Sequence, residues 1–379
     1  MIVTIRKAEL LSTLQKVVNI VPPRSTLPIL SNLCITISQE ELIVRATDLD
    51  LSIKVKRALS TSEGNTEFIV NANKLFAIVK EMPESDITLD FEDKEFVKIS
   101  TANDKFKLPI QTAENFPAAP AFKELAEFGI KAGTLMDMAA RVKFAVAKDT
   151  TRAALKGVLC ELEGELVRMV ATDGHKLSMC NEQNAAGAVE KKISIILPPK
   201  ALDQIGKTIH NQDEVITVKV GQTYAEFSAG ETVITSKLIE GDYPNYNEAI
   251  PKNTTKKATV RRDDLFSVLR RISVMSNSRT RQIRLVFRDN ELQISSSDRD
   301  FRGEGKSSLP MQFEGDPITI GFNADFLIEI LRLMDDDNVS LTMNSPLSAA
   351  LIKPADEGKA SRMLFLIMPL RLLDDEMNE

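Results

Sequence analysis

The feature that most restricts how this chain can fold is a pattern that occurs three times along it. Each copy opens with an amphipathic segment. Leu10, Leu14, Val17 and Val21 recur at helical spacing, as do Leu135, Met138, Val142 and Val146, and then Leu265, Val268 or Leu269, Ile272 and Met275. A pair of strand-like runs follows each segment and ends on a related turn: Ile43 to Asp48 (IVRATD), Val167 to Asp173 (VRMVATD) and Leu292 to Asp298 (LQISSSD). Asp48 and Asp173 stand at the same distance from their helix starts, and Asp298 falls a few residues short. A repeat of this length points to tandem units rather than one continuous core.

A second helix is predicted in each copy from Leu75, Ile78 or Val79 and Met82; from Leu202, Ile205 and Ile209; and from Leu327, Ile330 or Leu331 and Met334. Asn71 or Asn73 and Asn323 are natural helix caps, and Pro198-Pro199 suits a helix start. Alternating runs follow at Ile87 to Phe91, Val215 to Val220 and Val339 to Met343. The copies end alike: Phe106 to Ile110 leads to Asn115-Phe116-Pro117, Ile234 to Ile239 to Asp242-Tyr243-Pro244, and Met363 to Met368 to Pro369-Leu370-Arg371-Leu372. One unit therefore reads helix, strands, helix, strands. The expected fold class is α+β, with three tandem domains at 1–120, 130–250 and 257–379, each of two helices plus antiparallel sheets, and linkers near 118–130 and 250–257. A chain of 379 residues has room for two or three such domains.

Charge is where composition matters. The net charge is −6, which argues against a protein that grips nucleic acid over its whole surface. The six predicted helices (7–21, 71–82, 132–148, 198–210, 261–276 and 323–335) nevertheless hold 14 Lys/Arg against 9 Asp/Glu, leaving −11 for the rest. A phosphate-facing helical layer backed by an acidic exterior has this polarity. The last helix is an exception, with Asp325, Glu329 and Asp335 against Arg332. Helix width then sets a stoichiometry: six helices side by side close a ring only about 19 Å across at their axes, whereas twelve leave a hole of roughly 28 Å, wide enough for duplex. Two chains joined head to tail, first unit to third, are expected.

Other function classes find little support. The three cysteines (Cys34, Cys160, Cys180) are scattered in apolar runs, suggesting neither a disulfide framework nor a metal cage. The start lacks signal-peptide character and reads as mature sequence. Apolar runs such as Ile193 to Leu197 and Met363 to Met368 are strand-length, so a cytoplasmic protein without a membrane span is expected. Asp173 and His175 invite reading as an acid/base pair or metal ligands, but no third ligand or nucleophile stands at useful spacing. A turn with a partly buried imidazole lining a groove fits better. Gly303-Glu304-Gly305 lacks the phosphate-loop lysine, and Asp335-Asp336-Asp337 lacks the spacing of a calcium loop. No cofactor is expected. An enzyme built on Asp173 and His175, and a protein scaffold that never encloses DNA, stand as the alternative readings.

Five stretches carry a resemblance: Thr26 to Leu33 (TLPILSNL), Ala46 to Leu49 (ATDL), Ala171 to Leu177 (ATDGHKL), Glu240 to Tyr246 (EGDYPNY) and Met368 to Leu372 (MPLRL). Together they make the whole chain similar to the bacterial sliding clamps, the β subunits of DNA polymerase III. The resemblance implies three tandem clamp domains, a homodimeric ring with helices lining its hole, and a non-catalytic role holding the replicative polymerase on double-stranded DNA. It also implies docking of the clamp loader, repair polymerases and mismatch-repair proteins through short hydrophobic peptides. The implied peptide pocket comprises Leu155, Thr172, Gly174, His175, Lys176, Leu177, Pro244, Leu347, Leu366, Met368, Pro369, Leu370 and Arg371. The implied DNA contacts are Arg24 and Arg152, with Lys200 and Arg279 as weaker candidates on the inner surface. Ala153 and Ala154 depart from the aromatic residues of better-known clamps, Glu248 replaces a frequent rim arginine, and the chain runs on through an acidic tail, 373–379, expected to compete with acidic flanks of partner peptides.

Overall fold

The computed structural model describes residues 2–38, 40–59, 65–91, 93, 95–183, 189–298, 303–360 and 362–372. The acidic tail lies outside them. Six helices follow the repeat: α1 (Lys7–Val18), α2 (Ala72–Glu81), α3 (Ala132–Lys143), α4 (Pro199–Thr208), α5 (Arg262–Ser273) and α6 (Ala324–Arg332). The predicted caps are in place. Asn71 accepts from the Lys74 amide at 3.0 Å, Asn323 accepts from the Asp325 amide at 2.9 Å, and Pro198 and Pro199 open α4.

The first two repeats have the form strand, helix, three strands, stated twice, and the third adds the short strand Gln312–Glu314 and the short helix Glu357–Ala360. In the first these elements are Ile2–Arg6, α1, then Asn32–Ile37, Glu41–Thr47 and Leu51–Ala58; Thr66–Asn71 and α2 begin the second half, completed by Asp86–Asp90, Phe96–Ser100 and Lys105–Thr112. The strand that opens each repeat corrects the sequence reading. Ile2–Arg6, Ala126–Lys131 and Lys256–Arg261 run straight into their helices, and none of them was predicted as a strand. Arg6 and Arg261 supply no side-chain cap, which removed the usual boundary signal.

The chain divides into two compact units, and the middle repeat contributes to both. The first unit, 1–136 with 185–189 and 197–239, holds a 12-stranded sheet. Leu10, Leu14 and Val17 of α1 are at most 1% exposed, and each such side chain contributes about 1.5–3 kcal/mol by leaving water. The second unit, 137–184 with 190–196 and 240–379, holds a 9-stranded and a 4-stranded sheet. One core of this unit gathers Leu265, Leu269, Phe287, Phe322, Leu327 and Phe365.

Within each unit one repeat is joined to the next by continuing a sheet. In the first, Leu51–Ala58 pairs antiparallel with Thr232–Lys237, placing Ile53 opposite Ile234 and Ser52 opposite Thr235. In the second, Lys176–Glu182 pairs with Met363–Ile367, placing Ser178 opposite Phe365 and Leu177 opposite Leu366. The bonds at the joint ends correspond one to one. Lys56 N donates to Glu231 O at 2.9 Å and Lys237 N to Asp50 O at 2.7 Å; at the other joint Asn181 N donates to Arg362 O and Met368 N to His175 O, both at 2.8 Å. The ion pair at this corner reverses polarity, Arg57–Glu231 at 2.7 Å against Glu182–Arg362 at 3.4 Å. Swapping joints would set like charges face to face, which disfavours mispairing.

Candidate functional site

The turn Thr172 to Lys176 is the centre of the predicted pocket, and the sequence dictates its shape. Asp173 Oδ1 accepts from the His175 amide at 2.8 Å and the Lys176 amide at 2.9 Å, folding the chain back on itself. Gly174 takes φ +89°, which a glycine adopts without a Cβ penalty. Thr172 Oγ1 donates to Lys176 O at 2.7 Å, and the Thr172 amide donates to Tyr243 Oη at 3.1 Å. The Tyr243 hydroxyl is pushed up to about 12 by burial.

Around this turn the second unit brings together much of the predicted set. Leu155 (8% exposed) sits on the short helical turn Ala153–Lys156, and the opposed pair Leu177 and Leu366 forms a buried apolar floor. Pro244 is exposed, as is Met368 just after the strand Met363–Ile367 that carries Leu366. Pro369 and Leu370 are half-buried and Arg371 is exposed; Leu370 N donates to Gly321 O at 2.8 Å, pinning the chain end to Ile318–Asn323. Leu347 is 70% exposed. One residue differs from expectation. His175 points to solvent rather than being partly buried, because its backbone carbonyl, not its ring, makes the joint contact with Met368. Lys176 is buried, its ammonium 2.9 Å from Asp173 Oδ2.

The corresponding place at the first joint explains why a hydrophobic patch forms at only one of them. Thr47, Asp48 and Leu49 repeat the turn, with Asp48 Oδ1 accepting from the Leu51 amide at 2.7 Å and Leu49 at φ +82°. Yet Ser52 and Thr235 stand where the second joint has Leu177 and Leu366, and Lys237 where it has Met368. The first joint is thus polar where the second is apolar.

A cavity of about 350 Å³ adjoins the patch and shares Pro244 with it. Its wall carries Glu161, which accepts from Tyr246 Oη at 2.5 Å and pairs with Lys192 at 2.7 Å. Burial works to raise the Glu161 pKa, but Lys192, Tyr246 and Arg168 together hold it below the usual carboxylate range. No motif pointed to this network.

Three of the four predicted DNA contacts lie on exposed loops, and Lys200 lies in the first turn of α4. Arg24 follows α1, Arg152 precedes the turn Ala153–Lys156, and Arg279 follows α5. Lys200 is largely exposed but its ammonium pairs with Asp48. Several helix cations are likewise engaged, Lys7 with Glu84 and Arg141 with Asp137 and Asp335, so the positive balance of the helices overstates the charge they offer a ligand. Ala154 is 7% exposed and packs beneath the loop at Gly241. Among the described residues no cluster of three or more metal-ligating side chains occurs, and no helix is long and apolar enough to cross a membrane.

Comparison with known proteins agrees with the repeat. Profiles for the N-terminal, central and C-terminal domains of the DNA polymerase III beta subunit match residues 1–120, 129–245 and 247–371. The beta sliding clamp of Haemophilus influenzae is 28% identical over 97% of this chain and 99% of its own length. That of Pseudomonas aeruginosa is 29% identical over the same shares. The crystal structure of the DNA polymerase III subunit beta from Pseudomonas aeruginosa superposes with a TM-score of 0.94, at 28% identity over 98% of this chain and 100% of that one. A clamp from the same organism bound to griselimycin gives 0.92 at 29% identity, over 98% and 100%. The fold is thus that of a non-catalytic protein made of three tandem clamp domains. The chain belongs to the DNA polymerase III beta subunit family.

Proposed function

We propose that the chain is a DNA sliding clamp that closes with a second copy, head to tail, into a ring around duplex DNA and tethers the replicative polymerase. The observation that carries this reading is a strand of each joint type left over at the ends of the repeat. Both internal joints use the strand that follows the aspartate turn of one repeat and the last strand of the next. In the third repeat the first kind of strand, Gly303–Pro310, ends its sheet. In the first repeat the second kind, Lys105–Thr112, pairs with Phe96–Ser100 along Lys105–Pro109 and with Thr66–Asn71 only at Ile110–Thr112, leaving one edge open among the described residues. Carrying the internal register across two chains sets Lys107 opposite Glu304 and Phe106, 40% exposed, opposite Gly305. Opposite charges and a large side chain against a glycine suit such a pairing. Val274, 76% exposed beside α5, adds apolar surface near the same edge.

Two such contacts close a two-fold ring. Arg24, Arg152 and Arg279, with Lys200, supply sequence-independent phosphate contacts in this reading. The patch around Leu177, Leu366 and Met368 receives short hydrophobic peptides from the polymerase, the clamp loader, repair polymerases and mismatch-repair proteins, with leucine and phenylalanine side chains as anchors. Glu248, exposed and accepting from Asn245 Nδ2 at 2.8 Å, makes the patch rim less cationic than an arginine would. Sedimentation velocity tests the ring contact: wild type runs as a dimer at micromolar concentration and Phe106→Glu shifts it to monomer. A monomeric wild type, or a variant that stays dimeric, contradicts the proposed joint.

A further inference from the structure

We infer that Lys176 and Phe326 are positioning residues for the docking patch, holding its central turn against the first turn of α6. At both internal joints the turn aspartate uses one carboxylate oxygen for turn amides and the other for a lysine ammonium. At the first joint that lysine is Lys200, in the first turn of α4, so the ammonium ties the turn of one repeat to the second helix of the next. At the second joint the lysine belongs to the turn itself, and α6 answers with an aromatic face. The Lys176 ammonium sits 2.9 Å from Asp173 Oδ2, 4.1 Å from the Phe326 ring centroid and 5.9 Å from that of Phe144. The lysine has changed sides, yet an ammonium still bridges turn and helix.

Lys176 is 8% exposed, so this bridge works in a partly dry setting where ion pairs and cation–π contacts are stronger than in water. The turn it anchors carries the His175 carbonyl that accepts from Met368 N at 2.8 Å, and it is flanked by Thr172 and Leu177. A shift of α6 is therefore passed to this turn through the Lys176 ammonium. Lys176 does not meet the peptide; it fixes the residues that do.

This inference rests on the reading of the patch as a peptide site, and the test separates the two. Binding of a fluorescent pentapeptide with leucine and phenylalanine anchors is measured by anisotropy on the full chain, with amide hydrogen exchange followed at His175 and Lys176. Phe326→Leu is expected to weaken binding about fivefold and to speed exchange at both amides. Phe326→Tyr, which keeps the ring face, restores both. Lys176→Met behaves like Phe326→Leu. Unchanged exchange in Phe326→Leu, or equal losses in Phe326→Leu and Phe326→Tyr, overturns the positioning role. Met368→Ala, which alters the patch wall but not the bridge, weakens binding if the patch takes the peptide; unchanged affinity there removes the peptide reading itself, while the exchange data still judge the bridge.

Discussion

Leu49 occupies φ +82° with its side chain 52% exposed. A branched side chain in that region costs about 1–3 kcal/mol, and an exposed leucine recovers little of it by burial. Its counterpart at the second joint is Gly174, at nearly the same φ. Leu49→Gly is therefore expected to stabilise the protein by about 1 kcal/mol, after allowing for glycine's greater freedom in the unfolded chain. Chemical denaturation measures this, and a destabilised variant would show that Leu49 packs against something the strain must serve. The same turn marks the limit of what residue identity discloses. Asp173 and Gly174 were legible as turn formers, whereas Leu366 and Met368 were placed near that turn only by the family resemblance. The burial of Lys176 was not, because its partners Phe144 and Phe326 lie far from it in the chain and no spacing rule links them.

At the scale of elements, hydrophobic period and caps located all six long helices and the order of the units. The strands that open each repeat escaped notice because they are five or six residues long and abut a helix without a cap signal. The joints were equally hidden, since which strand meets which across repeats depends on register, not on local pattern. The Glu161 network shows how a connecting segment is tied to a sheet: Tyr246, in the segment after the middle repeat, donates to Glu161 on Val158–Gly164, and Lys192 joins from Val189–Leu197. Because the folded Glu161 pKa lies below its unfolded value, the stability it contributes is complete above the unfolded value, about pH 4.3, and is lost as pH falls through the folded value. Glu161→Gln is thus expected to lower the melting temperature at pH 7 by more than it does near pH 3. An equal deficit at both pH values would mean that shape, not charge, is what the carboxylate supplies.

For the whole molecule, the account turns on a symmetry that is complete only between two chains. Two joints are made inside each chain, and the leftover edges, Gly303–Pro310 and Lys105–Thr112, have the same roles in the repeat as the strands already joined. The most direct measurement is retention on circular DNA. The protein is loaded onto a nicked circle by a clamp-loading ATPase, the complex is washed in high salt, and the circle is then cut once. An encircling dimer stays through the salt wash, because its hold is topological rather than electrostatic, and is released when the circle is linearised. A protein bound only through Arg24, Arg152 and similar phosphate contacts would leave in high salt and be indifferent to the cut. That second result would contradict the ring.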